Sequence, residues 1–287
     1  MTKEQALQWE AKWARPAALA AFFAAVLLIA QIVLLQTVIE DRPGIEAIPD
    51  FLLSVDDNPA MLVGSRVAQA VAALLVAGVF YYLFRALQTR EAGVPRWFVY
   101  LIIIGPAIYA IALVLGALGQ VDAASDFADG TPIRGEQGDN RAEDVLEDNA
   151  SAPVFALNFL GQIVTAFLFV MLPLRARRVG LMSPFMGILG VVTGALLVLQ
   201  IVPVVPVIVQ AFWLGALGSL YIGNWPGGRG PAWETGEAEP WPTPQRRGEP
   251  PPEEGNGQGG SLLGPSNGQE PEPVPERPSS RKRRRKN

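Results

Sequence analysis

The sequence predicts an all-α integral membrane protein with six transmembrane helices, both termini in the cytoplasm and a disordered C-terminal tail. Three observations lead to this fold class. Half of the 287 residues are hydrophobic and only 17% are charged. The apolar residues fall into six blocks of about 20, the length that an α-helix needs to cross the hydrocarbon core of a bilayer. The segments between the blocks alternate between basic and acidic, whereas most prolines lie in the last quarter of the chain.

Five of the six predicted spans share a sign of helix initiation. The six spans cover approximately residues 16–39, 60–85, 97–119, 153–174, 183–202 and 205–224. Five have a proline at or near the first helical position, where its missing N–H would lack a helical partner anyway: Pro16, Pro59, Pro153, Pro184 and Pro206. Three of these prolines follow a residue that can cap a helix N-terminus: Asn58, Ser151 and Ser183. Because Pro203 and Pro206 make the last connection very short, the last two spans should form a helical hairpin; a continuous re-entrant segment is the alternative.

Residues 1–15 are predicted to form a short helix at the inner membrane interface. Trp9 and Trp13 are one helical turn apart, and indole rings favour the headgroup depth of a bilayer, so both are candidate interfacial anchors. Thr2 and Gln5 have the spacing of a capping box. A frayed polar terminus is the alternative. The apolar stretch that follows is longer than the roughly 7–15 residues of a signal-peptide core, so we expect it to remain as a membrane anchor.

The charges that flank the spans predict the orientation. Basic residues cluster at one set of membrane boundaries, which the positive-inside rule places in the cytoplasm: Lys3, Lys12, Arg15, Arg85, Arg90, Arg96, Arg175, Arg177 and Arg178. The alternate segments, residues 40–59 and 120–152, together hold fifteen acidic residues against three arginines. An even number of spans then puts both termini in the cytoplasm. Arginine is strongly preferred over lysine, which indicates a GC-rich bacterial genome and hence the bacterial cytoplasmic (inner) membrane.

Beyond the sixth span the composition changes from apolar to Pro, Gly and Glu. This change predicts a juxtamembrane segment over 225–245 and a disordered tail over 246–287. Trp225 directly follows the sixth span and is a third candidate interfacial anchor. Trp233 and Trp241 stand among prolines, where we expect no helix, and they should fold back along the membrane or beneath the helix bundle. A partner-binding peptide is the alternative.

The tail ends in six consecutive cations. Near an anionic leaflet each is worth about 1 kcal/mol of attraction, so the run is a candidate contact for anionic lipids of the bilayer: Arg281, Lys282, Arg283, Arg284, Arg285 and Lys286. We expect no nucleic-acid binding, because no folded domain and no interleaved aromatic residues accompany the run. A solvated charge run that only supports the topology is the remaining interpretation.

Polar side chains at bilayer depth are the candidate functional groups. Most lie in the outer half under the predicted topology, although the third span contributes no strong polar group. Arg66 and Gln69 are three residues apart and Asn158 and Gln162 are four apart, so each pair shares a helix face. These four residues are the candidate lining of an outward-facing polar cavity. The alternatives are interhelical hydrogen bonding of the amides and snorkelling without a shared site.

Small residues within the spans predict where helices approach closely. Gly187, Gly190 and Gly194 lie in the fifth span, and GALG at residues 116–119 provides a similar surface in the third. Pro106, preceded by Gly105, is expected to kink the third span.

The composition excludes several kinds of chemistry. The chain has no cysteine and no histidine, which removes disulfides, thiolate nucleophiles and the side chain best suited to proton transfer near neutral pH. The acidic segment 120–152 lacks the spacing of a calcium-binding loop. No nucleotide-binding glycine motif or nucleophile elbow is present. We therefore expect no enzyme activity, no cofactor and no metal site.

Two stretches resemble a family of bacterial six-span membrane proteins known as a domain of unknown function. They are SRVAQAVAALLVAGVFYYLFRALQTR at residues 65–90, and QAFWLGALGSLYIGNWPGG with PAWETGEAEPWP at residues 210–242. The resemblance covers roughly residues 10–243. It implies the number of spans, and it brings no assigned activity or site residues.

These observations favour a non-enzymatic structural, sensory or accessory membrane component. The alternative is a small-solute transporter or ligand-binding protein with an outward-facing polar site around Arg66. No carboxylate lies within the predicted spans to pair with this arginine. Its counter-charge would be an acid of an outer segment, a backbone carbonyl or an external anion.

Overall fold

The computed structural model describes residues 2–40, 48–149, 151–199 and 204–242. Within these ranges the chain is helical and has no β-strand, which confirms the all-α class. Arg42, Pro203, the predicted tail and its basic run lie outside the described residues. The helices are α1 Lys3–Glu40, α2 Ile48–Asp57, α3 Pro59–Gln88, α4 Phe98–Ala128, α5 Glu136–Asn149, α6 Ala152–Arg178, α7 Pro184–Leu199, α8 Val204–Tyr221 and α9 Pro231–Thr235.

Five of these helices are long and apolar enough to cross a membrane: α1, α3, α4, α6 and α8. The chain is therefore a multi-pass membrane protein. α7 is also apolar but has only 16 residues. At about 1.5 Å per residue it extends about 24 Å, which is shorter than the roughly 30 Å of a typical hydrocarbon core.

Six helices form a closed ring in the order α1, α3, α4, α6, α7 and α8, and α8 packs back against α1. α2 and α5 lie at one end of the ring, which we call the apical end. The other end, which we call the basal end, holds the first turns of α1, the α3–α4 connection and residues 222–242. A hydrophobic core fills the basal half, where Phe80, Phe169 and Trp213 meet with ring centroids 4.8–6.0 Å apart.

The two acidic segments contain short helices that cover the apical end. α2 and α5 pack beside the last turns of α4 in a second hydrophobic core that includes Leu52, Val55, Phe127 and Ala142. Arg141 of α5 donates hydrogen bonds to the carbonyls of Asp126 and Phe127, at 2.6 and 2.9 Å. Both carbonyls lie in the last turn of α4, and that of Phe127 also accepts a hydrogen bond from Gly130 N at 3.4 Å. Arg141 adds donors to this turn and so stabilises the end of that helix.

Glycines bring helices into close contact as the sequence predicted. Gly187, Gly190 and Gly194 of α7 all face α6. A Cβ on Gly194 would lie 2.6 Å from the carbonyl oxygen of Ala166, closer than a real side chain can approach. The predicted small-residue surface of the fifth span is therefore confirmed.

Gly161 of α6 offers a test of this close packing. A Cβ there would lie 2.6 Å from the backbone nitrogen of Tyr109, so Gly161→Ala must push α6 away from α4. We expect a loss of about 1–3 kcal/mol in the free energy of unfolding, measured by reversible SDS titration in mixed micelles. Gly78→Ala is the matched control, because a Cβ on Gly78 in α3 meets nothing within 4 Å. Equal losses in both variants would contradict the close α4–α6 contact.

The N-terminal segment differs from the predicted separate helix. α1 continues without interruption from Lys3 through Pro16 to Glu40. The predicted capping box is confirmed: Thr2 N donates to Gln5 Oε1 at 3.0 Å, and Gln5 N donates to Thr2 Oγ1 at 3.3 Å. Tertiary packing accounts for the continuous helix, since residues on both sides of the proline are buried on the bundle: Ala6, Glu10, Ala14, Ala17 and Ala18.

A buried ion pair joins the start of α1 to the α3–α4 connection. Arg90 and Glu10 pair through two hydrogen bonds of 2.6 and 2.9 Å, and their side chains are 0% and 3% exposed. The Arg90 guanidinium also donates to the carbonyl of Ala232 from Nε at 2.9 Å and from Nη2 at 2.7 Å. Burying two charges is costly, and the additional hydrogen bonds to carbonyls offset this cost. One arginine therefore holds both α1 and the juxtamembrane segment.

The juxtamembrane segment folds back beneath the helix ring. The structure contradicts our expectation of no helix around Trp233, because α9 begins at Pro231 and is followed by Gly236 in the left-handed conformation. Trp233 is buried, and its indole N–H donates to the carbonyl of Leu181 at 2.9 Å. The interpretation that this tryptophan packs beneath the bundle is confirmed. We call the following four residues the basal lock: Glu10, Arg90, Ala232 and Trp233.

An exposed ion pair lies beside the basal lock. Lys3 Nζ donates to Glu237 Oε1 at 2.6 Å. This hydrogen bond and the charge of Lys3 lower the pKa of the Glu237 carboxyl. The pair therefore contributes to stability above the ordinary carboxyl pKa, and the contribution is lost as the pH falls through the lowered pKa. Since both side chains are exposed, we expect the contribution to be small.

Candidate functional site

The ring of helices encloses a cavity at its apical end. Its volume is about 690 Å³, within the roughly 300–1,000 Å³ usual for small-molecule sites. Every helix of the ring contributes to the lining, and α5 of the apical cover contributes Leu146 and Asn149. The structure brings all four residues predicted from the sequence to this one cavity: Arg66, Gln69, Asn158 and Gln162.

Hydrogen bonds orient the two predicted residues of α3. Arg66 Nη1 donates to Gln69 Oε1 at 3.2 Å, and Gln69 Nε2 donates to Tyr109 Oη of α4 at 3.1 Å. The first contact follows from the three-residue spacing on one helix face. Among the residues that the structure describes, no carboxylate pairs with Arg66 or lines the cavity. A guanidinium has five N–H donors, so this one keeps donors available for a bound molecule.

The two predicted residues of α6 have different surroundings. Gln162 Nε2 donates to the carbonyl of Leu197 in α7. Leu197 lies in the last turn of α7 as described, so this hydrogen bond ties α6 to that end of α7. Asn158 lies about one turn nearer the apical end and contributes its amide to the cavity lining.

The structure adds polar lining residues that the candidate set did not include. Tyr109 and Gln120 come from α4, although the third span was predicted to contribute no strong polar group. The sequence signal for Tyr109 was a phenol in an apolar run, since a buried tyrosine hydroxyl usually needs a hydrogen-bond partner. The remaining additions are four amides from three other helices, α1, α5 and α8: Gln31, Gln36, Asn149 and Gln210.

The amides therefore fit two of the interpretations drawn from the sequence, interhelical hydrogen bonding and a shared polar cavity. Gln69 and Gln162 form hydrogen bonds between helices, and they also line a shared cavity. By contrast, the buried side-chain oxygens of Gln31 and Gln120 have no hydrogen-bond partner within the described part of the chain. Interhelical hydrogen bonding alone does not account for the polar lining.

Apolar side chains make up much of the remaining lining, and the cavity is closed toward the basal end. The apolar residues include Leu35, Leu113, Leu115, Val154, Phe155 and Val207. A small extension of about 20 Å³ reaches Leu28 and Thr165. Below it, the side chains of Phe80, Phe169 and Trp213 fill the ring. The apical lining includes the exposed residues Gln36 and Ser151, so the cavity opens at that end.

The three candidate interfacial anchors lie at the basal end. Trp9 is partly buried and stacks on Tyr82, with ring centroids 5.6 Å apart. Trp13 is 44% exposed. Trp225 stacks on Phe185 at 6.4 Å. Their contact with a lipid interface stays a prediction.

Comparison of the chain with protein-family models, with curated proteins and with solved structures found no match. The resemblance of residues 65–90 and 210–242 to a six-span family stays a prediction. Within the described ranges, no three residues among His, Cys, Asp and Glu are grouped so that they could hold a metal ion. The chemistry of the cavity therefore provides the indication of function.

Proposed function

We propose that this chain is a non-enzymatic membrane protein that binds a small solute in the apical cavity around Arg66. The observation that carries the proposal is an arginine in a cavity of about 690 Å³ that no described carboxylate lines. A charged side chain at bilayer depth is costly, and such residues typically face a water-filled cavity and serve a substrate or ion. An arginine with only a structural role would more often have a carboxylate partner.

The closed basal half supports solute binding over an open channel. Phe80, Phe169 and Trp213 occupy the ring below the cavity, with centroids at most 6.0 Å apart. A solute that enters from the apical end meets this aromatic cluster. A sensory role, one of the three non-enzymatic roles expected from the sequence, is compatible with this arrangement, because a sensor needs a binding site but no passage.

The finer topology belongs to the same proposal. We place α7 as the fifth of six spans, because it lies between α6 and α8 in the ring and its residue Leu197 reaches the apical cavity. The basal end carries the basic clusters, and α2 and α5 carry the acidic ones. The positive-inside rule then puts the basal end and both termini in the cytoplasm of a bacterial cell. The basic run at residues 281–286 would face the anionic inner leaflet.

Cysteine labelling in intact cells tests the cavity, because the natural chain has no cysteine. Asn158→Cys should react with a membrane-impermeant thiol reagent, since the reactive thiolate requires water. Phe159→Cys is the matched control at the same depth. Phe159 is 58% exposed on α6 and is absent from the cavity lining, so its cysteine should face lipid and stay unlabelled.

Two apical positions calibrate the same experiment: Asp50, which is partly buried, and Glu136, which is exposed. Asp50→Cys and Glu136→Cys should both label from outside the cell, and Glu234→Cys at the basal end should label only after permeabilisation. Absence of Asn158→Cys labelling while Asp50→Cys labels would overturn the proposed cavity site. Labelling of Asp50→Cys only from the cytoplasmic side would overturn the orientation.

A further inference from the structure

The charge of the cavity lining identifies the class of solute. We infer that the apical cavity takes an organic monoanion, a carboxylate that carries an apolar body. This inference rests on the proposed function, and it concerns what the cavity binds and not whether it binds. Three features of the lining support it: the sign of its charge, the number of its charges and the division between polar and apolar residues.

Arg66 sets the sign of the charge. Its guanidinium has one neutral hydrogen-bond partner, Gln69 Oε1, and the lining residues include no aspartate or glutamate among those described. An ammonium group in this cavity would be repelled by Arg66 and would find no carboxylate among the described lining residues. Tyr109 Oη accepts a hydrogen bond from Gln69 Nε2, which leaves the phenolic O–H as a further donor. The polar part of the lining therefore suits a negatively charged group.

The number of cations indicates a single negative charge. Arg66 is the one charged side chain among the described lining residues. The two negative charges of a phosphate dianion would exceed its single positive charge, and the excess charge would be costly in a partly desolvated site. The planar guanidinium fork matches the geometry of a carboxylate, which can accept two parallel N–H bonds. Gln69 holds this fork on the cavity face of α3 through the 3.2 Å hydrogen bond.

The size and apolar lining of the cavity indicate that the anion carries an apolar body. Chloride or acetate would leave most of about 690 Å³ unfilled. Side chains from α1, α4, α6 and α8 line the remainder, and burial of apolar surface on them would add affinity: Leu35, Leu113, Leu115, Val154, Phe155 and Val207.

The acidic apical surface does not oppose an anion in the cavity. Glu147 and Asp148 of α5 neighbour the lining residues Leu146 and Asn149, and Asp126 Oδ2 accepts a hydrogen bond from Asn149 Nδ2 at 3.2 Å, but all three carboxylates belong to exposed residues. Exposed charges are screened by water and salt, with a Debye length of about 8 Å at physiological ionic strength. Arg66 is partly buried and in direct contact with the cavity, so its field on a bound group is screened less.

Equilibrium dialysis of the full chain in nanodiscs tests the inference with matched probes. Octanoate should bind saturably after subtraction of empty nanodiscs. Octanamide and acetate should each bind at least about tenfold more weakly, since one lacks the charge and the other lacks the apolar body. Octylammonium should show no saturable binding. Arg66→Gln should weaken octanoate binding about thirtyfold or more, whereas Arg66→Lys retains the charge and should lose less.

Arg96→Gln is the control for a general loss of positive charge. Arg96 is exposed at the basal end, so its substitution should leave octanoate binding unchanged. A second readout does not require Arg66→Gln to fold: octanoate should protect Asn158→Cys from the thiol reagent, and octanamide should not. A further arm adds oleate to the nanodisc lipid. If oleate competes with octanoate, the natural ligand is a carboxylate that comes from the lipid. If oleate does not compete, the natural ligand is a dissolved carboxylate. Either result supports the inference.

Three results would overturn it: equal affinity for octanamide and octanoate, unchanged binding in a folded Arg66→Gln variant, or no saturable binding of octanoate. If one of these results is obtained and Asn158→Cys still labels from outside, the proposed solute cavity stands and only the assignment of an anionic solute fails. If Asn158→Cys does not label either, the proposed function fails as well.

Discussion

Replacing Arg90 with alanine should lower the free energy of unfolding by about 3–5 kcal/mol, because it leaves the Glu10 carboxylate buried without a partner. Glu10 is 3% exposed on its side chain and accepts two hydrogen bonds from Arg90. The same substitution removes both hydrogen bonds to the Ala232 carbonyl. Reversible SDS titration in mixed micelles measures the global loss. Faster tryptic cleavage after Arg229 reports release of the juxtamembrane segment.

Arg175→Ala is the matched control for this prediction. Arg175 pairs with Glu91 at 2.8 Å, but the two side chains are 27% and 28% exposed, so we expect a loss of at most about 1 kcal/mol. The double variant Glu10→Ala with Arg90→Ala leaves no unpaired carboxylate and should be more stable than Arg90→Ala alone. Similar losses in the free energy of unfolding for Arg90→Ala and Arg175→Ala would show that burial of the Glu10–Arg90 pair does not determine its contribution to stability.

Trp233→Ala should also lower the free energy of unfolding by about 3–5 kcal/mol, because it removes a buried indole. The side chain is 4% exposed. Its ring stacks on Tyr82 with centroids 5.7 Å apart and planes 10° apart. The guanidinium groups of Arg90 and Arg229 lie 5.5 and 4.8 Å from the ring centroid, where cation–π attraction adds to packing.

Two variants separate packing from hydrogen bonding at this position. Trp233→Phe keeps an aromatic ring but loses the N–H bond to Leu181, so its loss should be smaller than that of Trp233→Ala. Trp225→Ala is the control, because Trp225 is only partly buried and stacks on one ring, that of Phe185. We expect it to cost about 1 kcal/mol. A larger loss for Trp225→Ala than for Trp233→Ala would contradict the assignment of Trp233 to the basal lock.

The cavity was predictable from the sequence because its determinants are local. Arg66 and Gln69, like Asn158 and Gln162, reveal a shared helix face through their spacing. The predicted topology puts both pairs at the same depth. Two lining residues of α4, Tyr109 and Gln120, were missed because one is aromatic and the other lies just beyond the predicted span.

The basal lock was not predictable because its contacts join distant parts of the chain. Arg90 meets Glu10 and Ala232, which are 80 and 142 residues away in sequence. No periodicity or spacing rule relates such positions. The short helix α9 did have a local signal, with Pro231 at its first position and Gly236 just beyond its end, but the surrounding prolines favoured an extended interpretation.

The contact between α1 and α8 also has a consequence for biosynthesis. Gly218 of α8 lies so close to α1 that a Cβ there would be 3.0 Å from the Phe22 ring. The ribosome makes α1 long before α8, so the alanine-rich flank of α1 stays uncovered while the intervening helices are translated. The nascent protein depends on α8 to cover that flank, and a chain that terminates before α8 leaves this apolar surface exposed.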